Sequence, residues 1–127
     1  MSRQRWQFAL AGLLCTIAVT PISAAQLSVG QRGQASWYGE FHEGKLMANQ
    51  RPFRMEEATV AHRTLPLGTL IEVRNLKNGR FVDAEVTDRG PYVRGRMLDV
   101  SKAVAEELEM LECGTAAVEI RVIQLGG

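Results

Sequence analysis

Short runs of alternating apolar and polar residues, each ended by a turn signal, constrain the fold of this chain more than any other feature. The clearest run, "TLIEVRNL" at residues 69–76, is followed by "KNG" and then by "RFVDAEVTD" at residues 80–88. Because Asn-Gly readily adopts positive φ, this order predicts a β-hairpin. Further strand candidates are residues 33–40, 58–62 and 116–125.

The period of the apolar residues changes from two to that of a helix after residue 101. Val104, Ala105, Leu108 and Leu111 have helical spacing, and Ser101 precedes them as a candidate N-cap. About six short strands and one helix in roughly 100 residues favour a closed barrel over an open sheet, because closure removes exposed strand edges. We therefore predict a mainly β fold, a single small six-stranded barrel with one or two short helices.

The first 25 residues have the order of a secretory signal peptide. A basic start with Arg3 and Arg5 precedes an apolar run and a small-residue stretch at residues 23–25. Residues 1–25 are thus predicted to be removed on export to the periplasm, leaving residues 26–127 as one domain. Lipid attachment at Cys15 is not expected, because Leu14 stands where a lipobox has a small residue.

The composition of the remaining chain excludes several classes of function. The chain has 15 basic and 14 acidic residues, and 13 basic residues remain when Arg3 and Arg5 leave with the signal peptide. This near-neutral balance lacks the excess of basic residues that is typical of nucleic-acid-binding domains. Neither a CxxC nor an HExxH motif is present, and His42 and His62 are the only histidines, so no metal or other cofactor is predicted. Cys113 is expected to be a packed, apolar thiol.

Four segments, taken together, resemble a known family. They are "ASWYGEFHEGKLMAN", "VAHRTLPLGTLIEVRNLKNGR", "VTDRGPYVRGRMLDVS" and "VEIRVIQL". In this order and spacing they are similar to the rare lipoprotein A family, across residues 31–124. The resemblance implies a double-psi β-barrel and the activity of a septal peptidoglycan lytic transglycosylase. Expansins share this barrel, so the fold alone does not determine the chemistry.

The resemblance also implies a reaction and a residue for it. A lytic transglycosylase cleaves the β-1,4 bond between N-acetylmuramic acid and N-acetylglucosamine and closes a 1,6-anhydro ring. One carboxylic acid can perform both proton transfers. The family's Asp-Arg-Gly-Pro motif places this acid at Asp88. Without the motif, an aspartate before Gly-Pro would be interpreted as a residue that ties down a turn.

Other site residues follow from the same resemblance. His62 falls on a family active-site histidine and could assist Asp88 or bind the substrate, although a histidine bonded within a turn is the open alternative. Thr64 could support the same site. Tyr38 and Arg89 are predicted to bind substrate; for Tyr38 the reason is that aromatic rings stack on pyranose rings. Asp99 is expected to be structural and to bond backbone amides.

The chain departs from the family in two ways. Gln50 and Arg51 occupy the positions of the glycine and glutamate in the family's Ala-Asn-Gly-Glu stretch, so that a cation replaces a carboxylate. The SPOR domain that many members append after the barrel is not expected here.

Two functions of different class therefore remain. One is a lytic transglycosylase acting on peptidoglycan glycan strands, and the other is a non-catalytic, expansin-like glycan-binding barrel. Cell-wall or divisome proteins are expected as partners, and a monomer as the oligomeric state. Hydrolysis is a weaker third hypothesis, because no second carboxylate can be placed from the sequence.

Overall fold

A computed structural model describes residues 30–127, and these form a closed β-barrel. The strands are β1 Gln31–Tyr38, β2 Thr59–His62, β3 Leu70–Asn75, β4 Phe81–Asp88, β5 Arg96–Ser101 and β6 Thr115–Gln124. In this part of the chain one short α-helix, α1, covers Lys102–Glu107, and a 3-10 turn covers Glu40–His42. The predicted signal peptide and Cys15 lie outside the described residues. The single six-stranded double-psi β-barrel is confirmed.

The strands follow the order β1-β5-β2-β4-β3-β6 around the barrel. β3 and β4 form the antiparallel hairpin that the "KNG" signal predicts, and Gly79 in its turn has a φ of 78°. β1 pairs in parallel with β5, and β2 pairs in parallel with β4. The remaining three pairs are antiparallel. Each parallel pair joins segments that are distant in sequence, because parallel strands cannot be joined by a tight turn.

β5 is the strand that the sequence patterns did not identify. Its residues follow the Gly-Pro and Arg-Gly turn signals and lead directly into α1, so no turn separates strand from helix. Ser101 ends β5 and also caps α1 as predicted, accepting a hydrogen bond from the amide of Val104. The helix is shorter than the predicted segment, because it ends at Glu107 and a turn follows.

The barrel interior is filled by alternating aliphatic side chains from all six strands, together with α1 and the turn after it. Fully buried members include Val60, Ile71, Val86, Leu98 and Val118. Strand alternation accounts for this, since every second side chain points to the same face of a strand.

The prediction of a packed Cys113 is wrong. Cys113 is exposed, because the turn after α1 buries Met110 and leaves Cys113 at the surface. None of the helices within residues 30–127 is long and apolar enough to span a bilayer.

Candidate active site

A row of four residues crosses the outer face of four neighbouring strands. Ser36 on β1 lies opposite Asp99 on β5, Asp99 lies opposite Ala61 on β2, and Ala61 lies opposite Asp88 on β4. Leu98 and Val100, which flank Asp99 in sequence, point into the core. Two carboxylates, carried by the strands β4 and β5 that flank β2, therefore lie on either side of the small Ala61.

A β-bulge brings Asp88 into this row. Val86 pairs with Val60, but the next residue of β2, Ala61, pairs with Asp88 rather than with Thr87. Thr87 is the extra residue, and its buried hydroxyl donates to Met47 Sδ at 3.2 Å. A bulge shifts the following side chain to the other face of the strand, so Asp88 points outward although Val86 and Ala84 point inward.

The row forms one wall of a cavity of about 350 Å³. This volume lies within the usual range of small-molecule sites, ~300–1,000 Å³. The lining residues are Ser36, Trp37, Tyr38, His42, Ala61, Asp88, Arg89, Arg96 and Asp99. Three of the predicted site residues, Asp88, Tyr38 and Arg89, thus come together, whereas His62 and Thr64 do not line this cavity.

The carboxylate of Asp88 is oriented through one of its two oxygens. Oδ1 accepts hydrogen bonds from the backbone amides of Ala48 and Arg89, each at 2.9 Å. Within residues 30–127, no hydrogen-bond donor is bound to Oδ2. Asp88 consequently ties down a turn, as its local sequence suggests, and keeps a second oxygen for the cavity.

Asp99 is a second carboxylate in the same cavity, and no sequence pattern predicts it as a site residue. Ser36 Oγ donates to its Oδ1 at 2.7 Å, and Arg96 Nη2 lies 3.2 Å from Oδ1 and 3.3 Å from Oδ2. These partners are side chains, so the expectation of bonds to backbone amides is wrong. Both oxygens of Asp99 are engaged, in contrast to those of Asp88.

Tyr38 lies between the carboxylates and an aromatic cluster. Its ring packs on Phe53, with centroids 4.5 Å apart, and edge-on against His42 at 5.0 Å. The hydroxyl oxygen is buried and has no hydrogen-bond partner among the described residues. Burial, and then the charges of Asp88 and Asp99, raise the pKa of this phenol well above its ordinary value. The hydroxyl therefore keeps its proton, and its part in substrate binding stays a prediction.

His62 is buried and bonded within the turn that follows β2. Its Nδ1 accepts hydrogen bonds from the amides of Thr64, at 3.1 Å, and Leu65, at 3.0 Å. A ring nitrogen that accepts carries no proton, and burial followed by the charges of Arg63 and Arg89 lowers the pKa of this histidine. Thr64 contributes its backbone amide here while its side chain is exposed.

Arg89 links the His62 turn to Asp88. Its Nη1 donates to the carbonyl oxygens of His62, at 3.1 Å, and Leu65, at 2.7 Å, while its backbone amide donates to Asp88 Oδ1. His62 is thereby connected to Asp88 through Arg89. Whether His62 takes part in catalysis stays a prediction.

Arg51 is exposed and does not line the cavity. The preceding Gln50 has a φ of 70°, the left-handed conformation that favours the glycine of the family pattern. The turn itself is held against β4, where the amide of Asn49 donates to the Thr87 carbonyl at 3.2 Å. The substitution of glycine by Gln50 is thus accommodated with backbone strain and without loss of the turn.

The cavity continues into a second hollow of about 480 Å³. The two share Trp37, Tyr38 and His42, and the second is also lined by Phe41, whose side chain is 90% exposed. Such an exposed aromatic ring beside a polar cavity is suited to stacking on an extended ligand. Within residues 30–127 no group of three or more histidine, cysteine or acidic side chains is placed to hold a metal ion.

Comparison with known proteins identifies relatives of the chain. Residues 30–120 match a family model described as lytic transglycolase. The probable endolytic peptidoglycan transglycosylase RlpA of Aquifex aeolicus is 52% identical over 95 residues, covering 75% of this chain and 42% of that protein. Endolytic peptidoglycan transglycosylase RlpA of Campylobacter jejuni is 44% identical over 94 residues, covering 74% and 34% respectively. The chain therefore spans less than half the length of these two relatives.

Solved structures with the same fold are more distant in sequence. The apo expansin of Clavibacter michiganensis has a TM-score of 0.61 at 19% identity, covering 78% of this chain and 52% of that one. A D78N mutant of that expansin, solved in complex with cellohexaose, gives a TM-score of 0.60 at 17% identity, covering 78% and 53%. At this identity the likeness shows the fold alone.

Proposed function

Because the chain belongs to the lytic transglycolase family, we propose that it cleaves the MurNAc-GlcNAc β-1,4 bond of peptidoglycan and leaves 1,6-anhydro-MurNAc ends. The observation that carries this proposal is the carboxylate of Asp88, which faces a cavity with one oxygen fixed by two amides and the other unengaged. A single oriented carboxyl group is what this reaction requires.

Asp88 would act first as an acid and then as a base. Its carboxylic acid, protonated on Oδ2, gives the proton to the glycosidic oxygen as the C1–O bond breaks. The muramoyl C6 hydroxyl oxygen then bonds to C1, and its proton passes to the Asp88 carboxylate. The ring closes without consuming water, and the acid is restored for the next cycle.

The state of Asp99 favours this reaction over hydrolysis. A hydrolase needs a second carboxylate to activate water or to attack C1. Asp99 is the other carboxylate that lines the cavity, and both of its oxygens are bonded to Ser36 or Arg96. We assign Asp99 to holding Arg96 in place rather than to proton transfer.

His62, Arg89 and Thr64 would position the acid. The His62 ring holds the amides of Thr64 and Leu65, Arg89 binds the carbonyls of the same turn, and the Arg89 amide fixes Asp88 Oδ1. In this arrangement His62 acts through Arg89 and contacts no substrate. Tyr38 and Arg89 line the cavity and would contact the glycan.

The cellular setting of the proposed reaction follows from its substrate. Peptidoglycan lies outside the inner membrane, in agreement with the signal peptide proposed for residues 1–25 and with a periplasmic location. The protein would act as a monomer on glycan strands, and cell-wall or divisome proteins would bring it to its place of action.

The second candidate function is an expansin-like module that binds glycan without cutting it. Arg51, at the position of a family glutamate, is the observation that favours it. The exposed position of Arg51 outside the cavity weakens this candidate, because a cation there does not face Asp88.

The experiment compares the protein lacking residues 1–25 with its Asp88→Asn variant on peptidoglycan and on peptide-free glycan strands. Mass spectrometry measures products that end in 1,6-anhydro-MurNAc. Such products from the wild type alone support the transglycosylase and the role of Asp88. If neither protein releases them and both co-sediment with the glycan, the binding module is the better description.

A further inference from the structure

The second hollow, beside the cavity that contains Asp88, is built on an aromatic ring held in a fixed position. Trp37 lines both, and its Nε1 donates to the carbonyl oxygen of Leu111 at 3.3 Å, which orients the indole. Gly39 lies against this indole, because a side chain at residue 39 would begin 3.0 Å from Cζ3 of Trp37. The glycine therefore leaves this part of the indole open to the hollow.

A second aromatic ring borders the same hollow. The side chain of Phe41 is 90% exposed, a larger fraction than for any other large apolar residue within residues 30–127. Single exposed apolar residues are common on protein surfaces, but Phe41 shares its hollow with Trp37. A ligand that covered both rings would remove apolar surface from water, which favours binding.

The remaining side chains of the hollow narrow the class of ligand. Glu40 and Lys102 place charged groups beside the two aromatic rings. A pyranose ring matches this arrangement, because its C–H faces pack on aromatic rings and its hydroxyl groups bond to polar side chains at the edge. A wholly apolar ligand would instead remove water from Glu40 and Lys102 without replacing its hydrogen bonds.

The hollow is continuous with the cavity that contains Asp88. The two share Trp37, Tyr38 and His42, so linked sugar rings can extend from one into the other. We propose that Trp37 and Phe41 form an accessory subsite that binds a ring of the glycan beyond those at Asp88 and makes affinity depend on strand length. The inference rests on the proposed function in one respect, that the glycan occupies the cavity beside Asp88.

Trp37 can report the occupancy of this subsite. The chain has two tryptophans, and the other, Trp6, lies within residues 1–25, so tryptophan fluorescence of the protein lacking those residues comes from Trp37 alone. The Asp88→Asn variant, which should not cleave, is titrated with peptide-free glycan strands of one disaccharide and of at least three. The longer strands should change the fluorescence and bind at least about tenfold more tightly. Equal affinity for both lengths, or no change with either, would overturn the proposal.

Phe41 variants in the same background assign the length dependence to the subsite. Phe41→Ala should lower affinity for the longer strands about fivefold or more and leave affinity for the disaccharide unchanged, because one stacking ring is lost. Phe41→Tyr keeps the ring and should keep the affinity. Phe81→Ala is the matched control, since Phe81 is 56% exposed and lines neither cavity. Wild-type affinity for the longer strands in Phe41→Ala would contradict the subsite.

Two further measurements separate binding from folding and from catalysis. Phe41→Ala should unfold at the urea concentration of the wild type, because the side chain is 90% exposed. With Asp88 present, the same change should raise KM for the longer strands more than it lowers kcat, since a ring remote from the reacting bond binds substrate and transition state alike. Absence of 1,6-anhydro products together with binding that depends on Phe41 refutes the proposed function alone. Products formed at an unchanged KM in Phe41→Ala refute this inference alone.

Discussion

Replacement of His62 tests the link between its turn and Asp88. In the wild type, Nδ1 of His62 accepts two backbone amides, and the residue is only 6% exposed. His62→Ala leaves both amides without their acceptor and removes a buried ring. An unsatisfied buried group costs ~1–3 kcal/mol, so we expect a loss of about 2–4 kcal/mol in the free energy of unfolding.

His62→Asn is the matched control, because its side-chain oxygen can lie near the position of Nδ1 and accept the same amides. We expect this variant to recover about half of the loss in His62→Ala. If His62 only positions Asp88, lytic activity in His62→Asn should remain within about tenfold of the wild type. A loss of more than about 10²-fold at retained stability would instead show that the ring acts on the substrate.

The same histidine predicts a dependence of stability on pH. Its pKa is lowered in the folded state from the ordinary value of 6.5, so the neutral ring favours folding. As the pH falls below 6.5, the unfolded chain takes up a proton that the folded chain resists, and stability declines until the folded pKa is reached. Urea unfolding at pH 7.5, 6.0 and 5.0 should show this decline in the wild type and less of it in His62→Asn. Two results would refute the reasoning. One is identical pH profiles for the wild type and His62→Asn. The other is a free energy of unfolding of His62→Ala within about 0.5 kcal/mol of the wild type, which is the effect of an ordinary surface substitution.

Two further predictions concern other parts of the chain. Ser101→Ala should lower the free energy of unfolding by about 2–3 kcal/mol in urea titrations, because the buried Ser101 hydroxyl donates to the Glu57 carbonyl and accepts the Val104 amide; a loss under about 1 kcal/mol would contradict this account of the cap. Arg51→Glu should change lytic turnover by less than about twofold, since Arg51 is exposed and outside the cavity; a tenfold rise would show that Arg51 disables the site.

Local signals in the sequence were sufficient for most of the fold. The β3–β4 hairpin follows from its Asn-Gly turn, and the start of α1 from Ser101 and the apolar residues after it. β5 was missed because its residues carry no turn signal before the helix, and only its pairing with β1 and β2 defines it as a strand. Asp99 was missed as a site residue because it lies on β5, and its place in the cavity depends on the pairing of that strand.

The site was predictable only in part, because closure of the barrel assembles it. The family motif predicts a catalytic role for Asp88, while its local sequence indicates a turn residue. Its Oδ1 holds the turn, and the catalytic role stays a prediction. The bulge at Thr87 depends on pairing with β2, which no local pattern reveals. The family position of Arg51 suggested an effect on the acid, but its exposed placement follows from the loop's path along β4.

The row of Ser36, Asp99, Ala61 and Asp88 also bears on how the chain folds. Two of the three strand contacts in this row are parallel pairings, and that of Ser36 with Asp99 joins residues 63 positions apart. Such contacts form late, because the entropy of closing a long loop must be overcome before the pairing is gained. The β3–β4 hairpin can form early, but of the four residues in the row it contributes only Asp88. During refolding, the glycan cleavage that we propose should therefore return with the slowest phase, after most secondary structure has been regained.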